Sequence, residues 1–167
     1  LPVDSLAPFL MDARNGYASL GSVLVKDTAE VMSILNAVEG LPSRTSFMWA
    51  SKAEKDPANR VYLYIIRSSN IKGLPVITDE DIEKAHAQEA HYSHKNWEIG
   101  IDLKKTSWQK WENATKDNIG RCLVFAIDDK VYSAPMVNSQ ITGGKSMISG
   151  NISEMEAKEI AAILQSG

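Results

Sequence analysis

His86, His91 and His94 stand in the spacing His-x4-His-x2-His and account for all the histidine in the 167-residue chain. Imidazole is a common zinc ligand, and this spacing could bring ring nitrogens together from a short helix and the turn after it. No cysteine or ordered set of carboxylates completes a ligand set, and the segment is polar chain leading into a strand. A surface loop is therefore the preferred reading, and no metal is assigned. Asp79, Glu80, Asp81 and Glu83 bunch where a helix is expected to begin, a place the helix dipole favours for negative charge. They need no acid–base pairing to explain them. Ser133 and Ser149 lack the Gly-x-Ser-x-Gly setting of an activated serine. Cys122 lies in an apolar stretch with no neighbouring base, which makes it a small buried hydrophobe rather than a reactive thiol. Lys145 follows Gly143 and Gly144 without the longer glycine loop of a phosphate cradle. No catalytic, cofactor-binding or metal-binding residue is assigned, and the chain is not expected to be an enzyme.

Trp49, Trp97, Trp108 and Trp111 are the richer signal. Trp108 and Trp111, three positions apart on an apolar helix stripe, read as core before they read as a binding platform. Aromatic and methionine surfaces adapt to varied side chains, and an open strand edge can bond an extended peptide backbone without reading its sequence. The strand edge at Pro135 is the low-ranked candidate for such an edge; polypeptide-binding residues are otherwise unknown.

With 44% hydrophobic and 23% charged residues, the chain should bury a sizeable core as a single domain over residues 1–167. A net charge of -3 gives no basic footprint for nucleic acid. The longest apolar run, residues 61–66, is far short of the about 20 residues that a membrane-spanning helix needs. One cysteine allows no intrachain disulfide. The chain starts at Leu1 with no visible signal peptide, as a processed product or an excised fragment would.

The hydrophobic pattern supplies the elements meant to position these residues. Residues 1–16 read as a lead-in whose Leu6, Phe9, Leu10 and Met11 pack on the domain. A strand is expected over 22–26, then a helix with Val31, Met32, Leu35 and Val38 on one face, capped by Asp27 with Glu30. Residues 45–51 and 61–67 should form a hairpin, and 79–88 a short charged helix started by Thr78 and Asp81. Residues 96–103 alternate strictly as a half-buried strand, and Ser107 opens a helix ended near Gly120. Residues 123–127 read as a central strand, while Pro135 pushes 131–137 towards an edge. The pair Gly143 and Gly144 turns the chain with positive φ into a strand over 146–149, and Gly150 is expected to do the same before the last helix. That helix carries a capping box, Ser153 with Glu156, and a stripe of Ala157, Ile160, Ala161 and Leu164. About six or seven strands and four helices in irregular order predict an α+β fold, a mixed, largely antiparallel sheet with helices packed on it.

Several of these stretches also carry a resemblance. Asn118-Ile119-Gly120-Arg121, the strand ending at Asp128, Val131-Tyr132-Ser133-Ala134-Pro135, Ile141-Thr142-Gly143-Gly144, Ile148-Ser149-Gly150 and Leu164-Gln165-Ser166-Gly167 resemble, in order and spacing, the head part of the large periplasmic domain of SecD and SecDF. Asp27-Thr28-Ala29-Glu30-Val31 and Phe47-Met48-Trp49 extend the likeness more weakly, towards the SecDF fusions of the Bacteroidetes group. Its recognisable positions, Gly120, Pro135, Gly143, Gly144, Gly150, Ser153 and Glu156, are turn, edge and cap residues that specify a fold. One departure is Asp129, where the family usually has glycine; aspartate tolerates left-handed geometry at a modest cost.

The resemblance implies a non-enzymatic, extracytoplasmic domain at the periplasmic face of the bacterial inner membrane. Its partners would be translocating preprotein, the Sec translocon and the remaining SecD and SecF membrane parts, with no cofactor. It also implies that movement of this region is coupled to proton flow through membrane helices that this chain lacks. Two alternatives stay open: a free-standing SecD-like lipoprotein or interaction module without translocase activity, and a small metal-binding protein or metalloenzyme built on His86, His91 and His94.

Overall fold

Ser19–Leu24, Thr45–Ala53 and Arg60–Arg67 are rich in β-branched, aromatic and small residues, and in the computed structural model they form strands β1, β2 and β3. The structure describes residues 19–53, 58–68, 73–91, 93–150 and 152–166, so the lead-in expected over 1–16 lies outside the described residues. The chain divides into two compact units, Leu1–Leu74 with Val124–Ala134, and Pro75–Leu123 with Pro135–Gly167.

In the first unit β3 pairs antiparallel with β1 on one side and with β2 on the other. A hairpin of β6 (Phe125–Ile127) and β7 (Lys130–Ser133) then joins β2 through β7, in parallel, at Trp49 with Lys130 and Ala50 with Val131. The resulting order is β1-β3-β2-β7-β6. Residues 123–127 are therefore not central: β6 is the edge, and the Pro135 strand, expected at an edge, is represented by β7 in the interior. The β6–β7 turn places Asp128 and Asp129 at φ 48° and 60°, so the turn forms with aspartate in left-handed geometry. Helix α1 (Thr28–Asn36) covers the sheet, and Val31 and Leu35 join Val23 and Leu63 in a core ringed by Leu20, Met32, Ile34, Phe47 and Trp49. The expected Asp27 cap is absent, because Val25–Asp27 already turn as a 3-10 segment and run directly into the helix.

The second unit carries an antiparallel sheet of order β4-β5-β8, with β4 at Ile82–Ala90, β5 at Ser93–Leu103 and β8 at Lys145–Ile148. The charged helix expected over 79–88 is thus corrected to a strand. Its start signal is real, but Thr78 and Asp81 open only a 3-10 turn, Asp79–Asp81. Strand β5 buries Ile99, Ile101 and Leu103 and needs a neighbour for its backbone on each side. Pairing with β4 supplies one and overrides the helical propensity of Glu, Lys, Gln and Ala there. Small Ala85 and Ala90 are buried on β4, and α3 (Glu154–Ser166) packs against β4 and β5.

Helix α2 (Trp108–Asp117) follows β5 as expected. Gly120 lies two residues beyond its C-cap, Asn118, at φ +79°, and gives its N–H to the Val137 carbonyl at 2.8 Å. Leu123 N–H donates to the Pro135 carbonyl at 3.0 Å, and Cys122 bridges Met136, so Pro135 faces a paired neighbour rather than an open edge. Gly143 and Gly144 turn with φ of +75° and +66°, whereas Gly150 is not in the positive-φ region and a Cβ there would meet Ile152 only at 3.9 Å. The expectation for Gly150 is corrected accordingly. The α3 cap and stripe are as expected: Glu156 Oε2 accepts both the Ser153 N–H (3.0 Å) and hydroxyl (2.7 Å), and Ala157, Ile160, Ala161 and Leu164 are buried. Among the described residues there are three α-helices, eight strands and three 3-10 turns in an α+β arrangement of largely antiparallel sheets.

Candidate polypeptide-contact site

The residues singled out for chemistry are occupied by architecture. Asp81 joins three segments of the second unit: one carboxylate oxygen accepts the Ser107 hydroxyl at 2.6 Å, and the other accepts Lys110 Nζ at 2.7 Å and the Thr78 N–H at 2.9 Å. Burial pushes this carboxyl up, but hydrogen bonds from Lys110, Ser107 and the Thr78 amide outweigh it, and the pKa falls to about 2. A carboxylate committed in this way fixes the start of α2 instead of offering a proton.

Trp108 is equally committed. Its Nε1 donates to the Leu103 carbonyl at 2.9 Å, Leu103 N–H donates to the Gly144 carbonyl at 2.8 Å, and the indole lies where a Cβ on Gly144 would be. Helix α2 holds the same turn by two further bonds, Gly143 N–H to Glu112 Oε1 at 3.1 Å and Ile141 N–H to Thr115 Oγ1 at 3.0 Å. The Gly143-Gly144 pair therefore exists for close approach as well as for the turn. Trp49 packs on the first-unit core, and Trp97 lies under Lys158, whose Nζ is 5.4 Å from the ring centroid. Trp111 has its Nε1 buried without a hydrogen-bond partner among the described residues, so it too is turned inward.

The histidines are not brought together as a helix-and-turn cluster. His86 sits on β4 opposite Gly100, its ring filling the space of the missing Cβ, with Nε2 3.1 Å from Gln88 Oε1. His91 is exposed in the β4–β5 turn, and His94 belongs to β5. No group of three potential metal ligands occurs among the described residues. Beside Gly144 lies a cleft of about 420 Å³ that includes Lys84, Asp102 and Lys145, with Lys145 Nζ 3.5 Å from Asp102. Its charges are mixed and partly mutually neutralised, which favours no one class of ligand.

An apolar surface of different character lies in the first unit. Met32, Leu35 and Val38 from α1 and its exit, with Leu41 and Phe47, line a groove of about 370 Å³ rimmed by Asn36, Thr45 and Ser46. Leu41 is 37% exposed there. Methionine, leucine and phenylalanine without a fixed polar anchor suit varied apolar side chains rather than one defined ligand. Sequence reading assigned Met32, Leu35 and Val38 to a core-facing stripe and missed the groove. The available signal was the surplus of apolar residues around Gly40, where Val38 and Leu41 flank a chain reversal.

The chain matches the model of the SecDF P1 head subdomain over residues 61–167. SecDF of Thermus thermophilus is 35% identical over 95 residues, covering 57% of this chain and 13% of that protein. SecD of Rhodothermus marinus is 28% identical over 151 residues, 88% of this chain and 24% of that protein, so the chain spans a quarter or less of these relatives. A solved SecDF structure, described as a membrane component that enhances protein export, superposes with a TM-score of 0.53 at 24% identity, covering 78% of this chain and 71% of that one. With more than half of its length matched, the chain belongs to the SecDF P1 head subdomain family.

Proposed function

We propose that this chain is the head domain of a Sec protein-export subunit, placed at the periplasmic face of the bacterial inner membrane, and that both of its units serve one role: to contact and steer polypeptide leaving the translocon. It works without chemistry of its own and alongside the membrane parts of SecD and SecF. Family membership carries the reading, and the groove of Met32, Leu35, Val38, Leu41 and Phe47 supports it as a place where apolar side chains of a passing chain can be held briefly. No described helix is long and apolar enough to cross a membrane, so anchoring would fall to other parts of the protein.

The test is site-specific photocrosslinking in the full-length parent protein, in membrane vesicles translocating a preprotein. Probes replace the exposed rim residues Asn36 and Ser46, with exposed Asn113, on α2 of the second unit and outside the groove lining, as the comparison. Adducts with the preprotein are expected at Asn36 and Ser46 and not at Asn113. Absence of adducts at both rim positions during active translocation would overturn the groove as a contact site.

A further inference from the structure

The two edges of the second-unit sheet are treated differently. Alternate residues of an antiparallel strand direct their N–H and C=O to opposite sides. Leu103 gives its N–H to Gly144, so Leu103, Ile101 and Ile99 direct theirs towards β8. Their partners Ser146 and Ile148 point back, which turns the N–H and C=O of Lys145 and Met147 outward. By the same alternation Ala85 and Ala87 of β4 point away from β5, and there Gln165 of α3 reaches over: its Oε1 accepts the Ala85 N–H at 3.1 Å. Among the described residues nothing comparable closes β8. The backbone groups of Lys145 and Met147 bond no other described residue, and Met147 is 44% exposed.

We infer that the outer edge of β8 receives a segment of extended polypeptide as an added strand. This rests on the polypeptide-contacting reading above and specifies the form in which the chain is held. The edge offers main-chain donors and acceptors, which every peptide can meet and no folded side-chain surface is needed to satisfy. A strand of four residues offers few such groups, which suits a passing chain better than a lasting pairing with a second copy.

The test uses the full chain, isotope-labelled for amide exchange, with a short Thr-Val repeat peptide and the same peptide N-methylated at alternate amides. On binding, the Lys145 and Met147 amides should gain at least about tenfold protection, and N-methylation should weaken binding at least about tenfold. Met147→Pro should weaken it similarly. That amide points away from β5, so proline leaves the β5–β8 ladder in place, as retained protection of Ser146 and Ile148 would verify. Equal binding of the N-methylated peptide, protection confined to other residues, no binding at about 10 mM peptide, or self-association through β8 without peptide would each overturn the inference. Crosslinks at the groove rim without protection at β8 would leave the general function standing and remove only this strand-addition site.

Discussion

Gly144→Ala should destabilise the protein far more than Gly143→Ala, although the two glycines are neighbours with similar φ, +66° and +75°. A Cβ at Gly143 meets nothing within 4 Å, so its cost is the left-handed strain of an L-residue, ~1–2 kcal/mol, partly offset by the ~0.4–1 kcal/mol gained from a less flexible unfolded chain. A Cβ at Gly144 would carry the same backbone cost and would also overlap Cδ1 and Nε1 of Trp108, with Cγ at 2.9 Å. The indole cannot swing away cheaply, because its Nε1 is held by the Leu103 carbonyl. Moving it strands a half-buried donor and its acceptor, worth ~1–3 kcal/mol, and forces repacking of a similar size. Net costs of about 1 kcal/mol for Gly143→Ala and about 3–5 kcal/mol for Gly144→Ala follow. Urea unfolding followed by tryptophan fluorescence and circular dichroism measures both. Repeating Gly144→Ala in a Trp108→Ala background should shrink its cost towards the Gly143 value. Equal costs for the two glycines, or no coupling to Trp108, would refute the close-approach argument.

The Asp81 carboxyl, lowered from 3.8 to about 2, favours the folded state above its unfolded pKa, and that contribution is lost as pH falls from about 4 towards 2. Asp81→Asn should therefore cost about 2 kcal/mol at pH 7 relative to wild type, and the gap should close by about pH 2 in urea titrations; a gap independent of pH would show that charge is not the source. Asp129→Gly should stabilise by ~0.5–1 kcal/mol, since it removes left-handed strain at φ 60° and gives back part of that in chain entropy. A lowered melting temperature for that variant would count against strain in the β6–β7 turn.

Features written in adjacent residues were legible in the sequence. Helix α3 is the clearest case: its cap, Ser153 with Glu156, and its buried stripe, Ala157 to Leu164, lie within one window and point the same way. Strand β4 is the opposite case. Its alternation is carried by Ala, His, Gln, Lys and Glu, which differ too little in hydrophobicity to show a period of two, and only pairing with β5 decides its conformation. The same holds for the hairpin at Asp128 and Asp129. Its turn was readable, but which strand faces inward depends on β2 meeting Lys130 and Val131, some 80 residues away in sequence. The candidate contact surfaces were less legible still. The groove joins Met32 to Phe47 across a chain reversal, and the open edge of β8 depends on the parity set by the Leu103–Gly144 bond.

The size of the β8 edge bears on what steering can mean. Outward groups on Lys145 and Met147 allow at most a donor and an acceptor each, and a net hydrogen bond contributes only ~0.5–1.5 kcal/mol once water is displaced. Fixing each added residue of an unfolded chain in one backbone well costs ~1–2 kcal/mol. The two nearly cancel, so backbone pairing alone falls short of the about -4 kcal/mol that millimolar affinity requires, and burial of the added strand's own side chains has to supply the rest. Apolar contacts such as those in the Met32–Phe47 groove add to affinity without demanding sequence, at about 25 cal/mol per Å² removed from water. Contacts this weak release within a short time of forming. A chain passing such surfaces would be slowed and oriented by repeated brief pairing rather than held, and no single side chain should carry the effect. Substitutions that change the backbone, such as Met147→Pro, should therefore outweigh side-chain truncations at the same position.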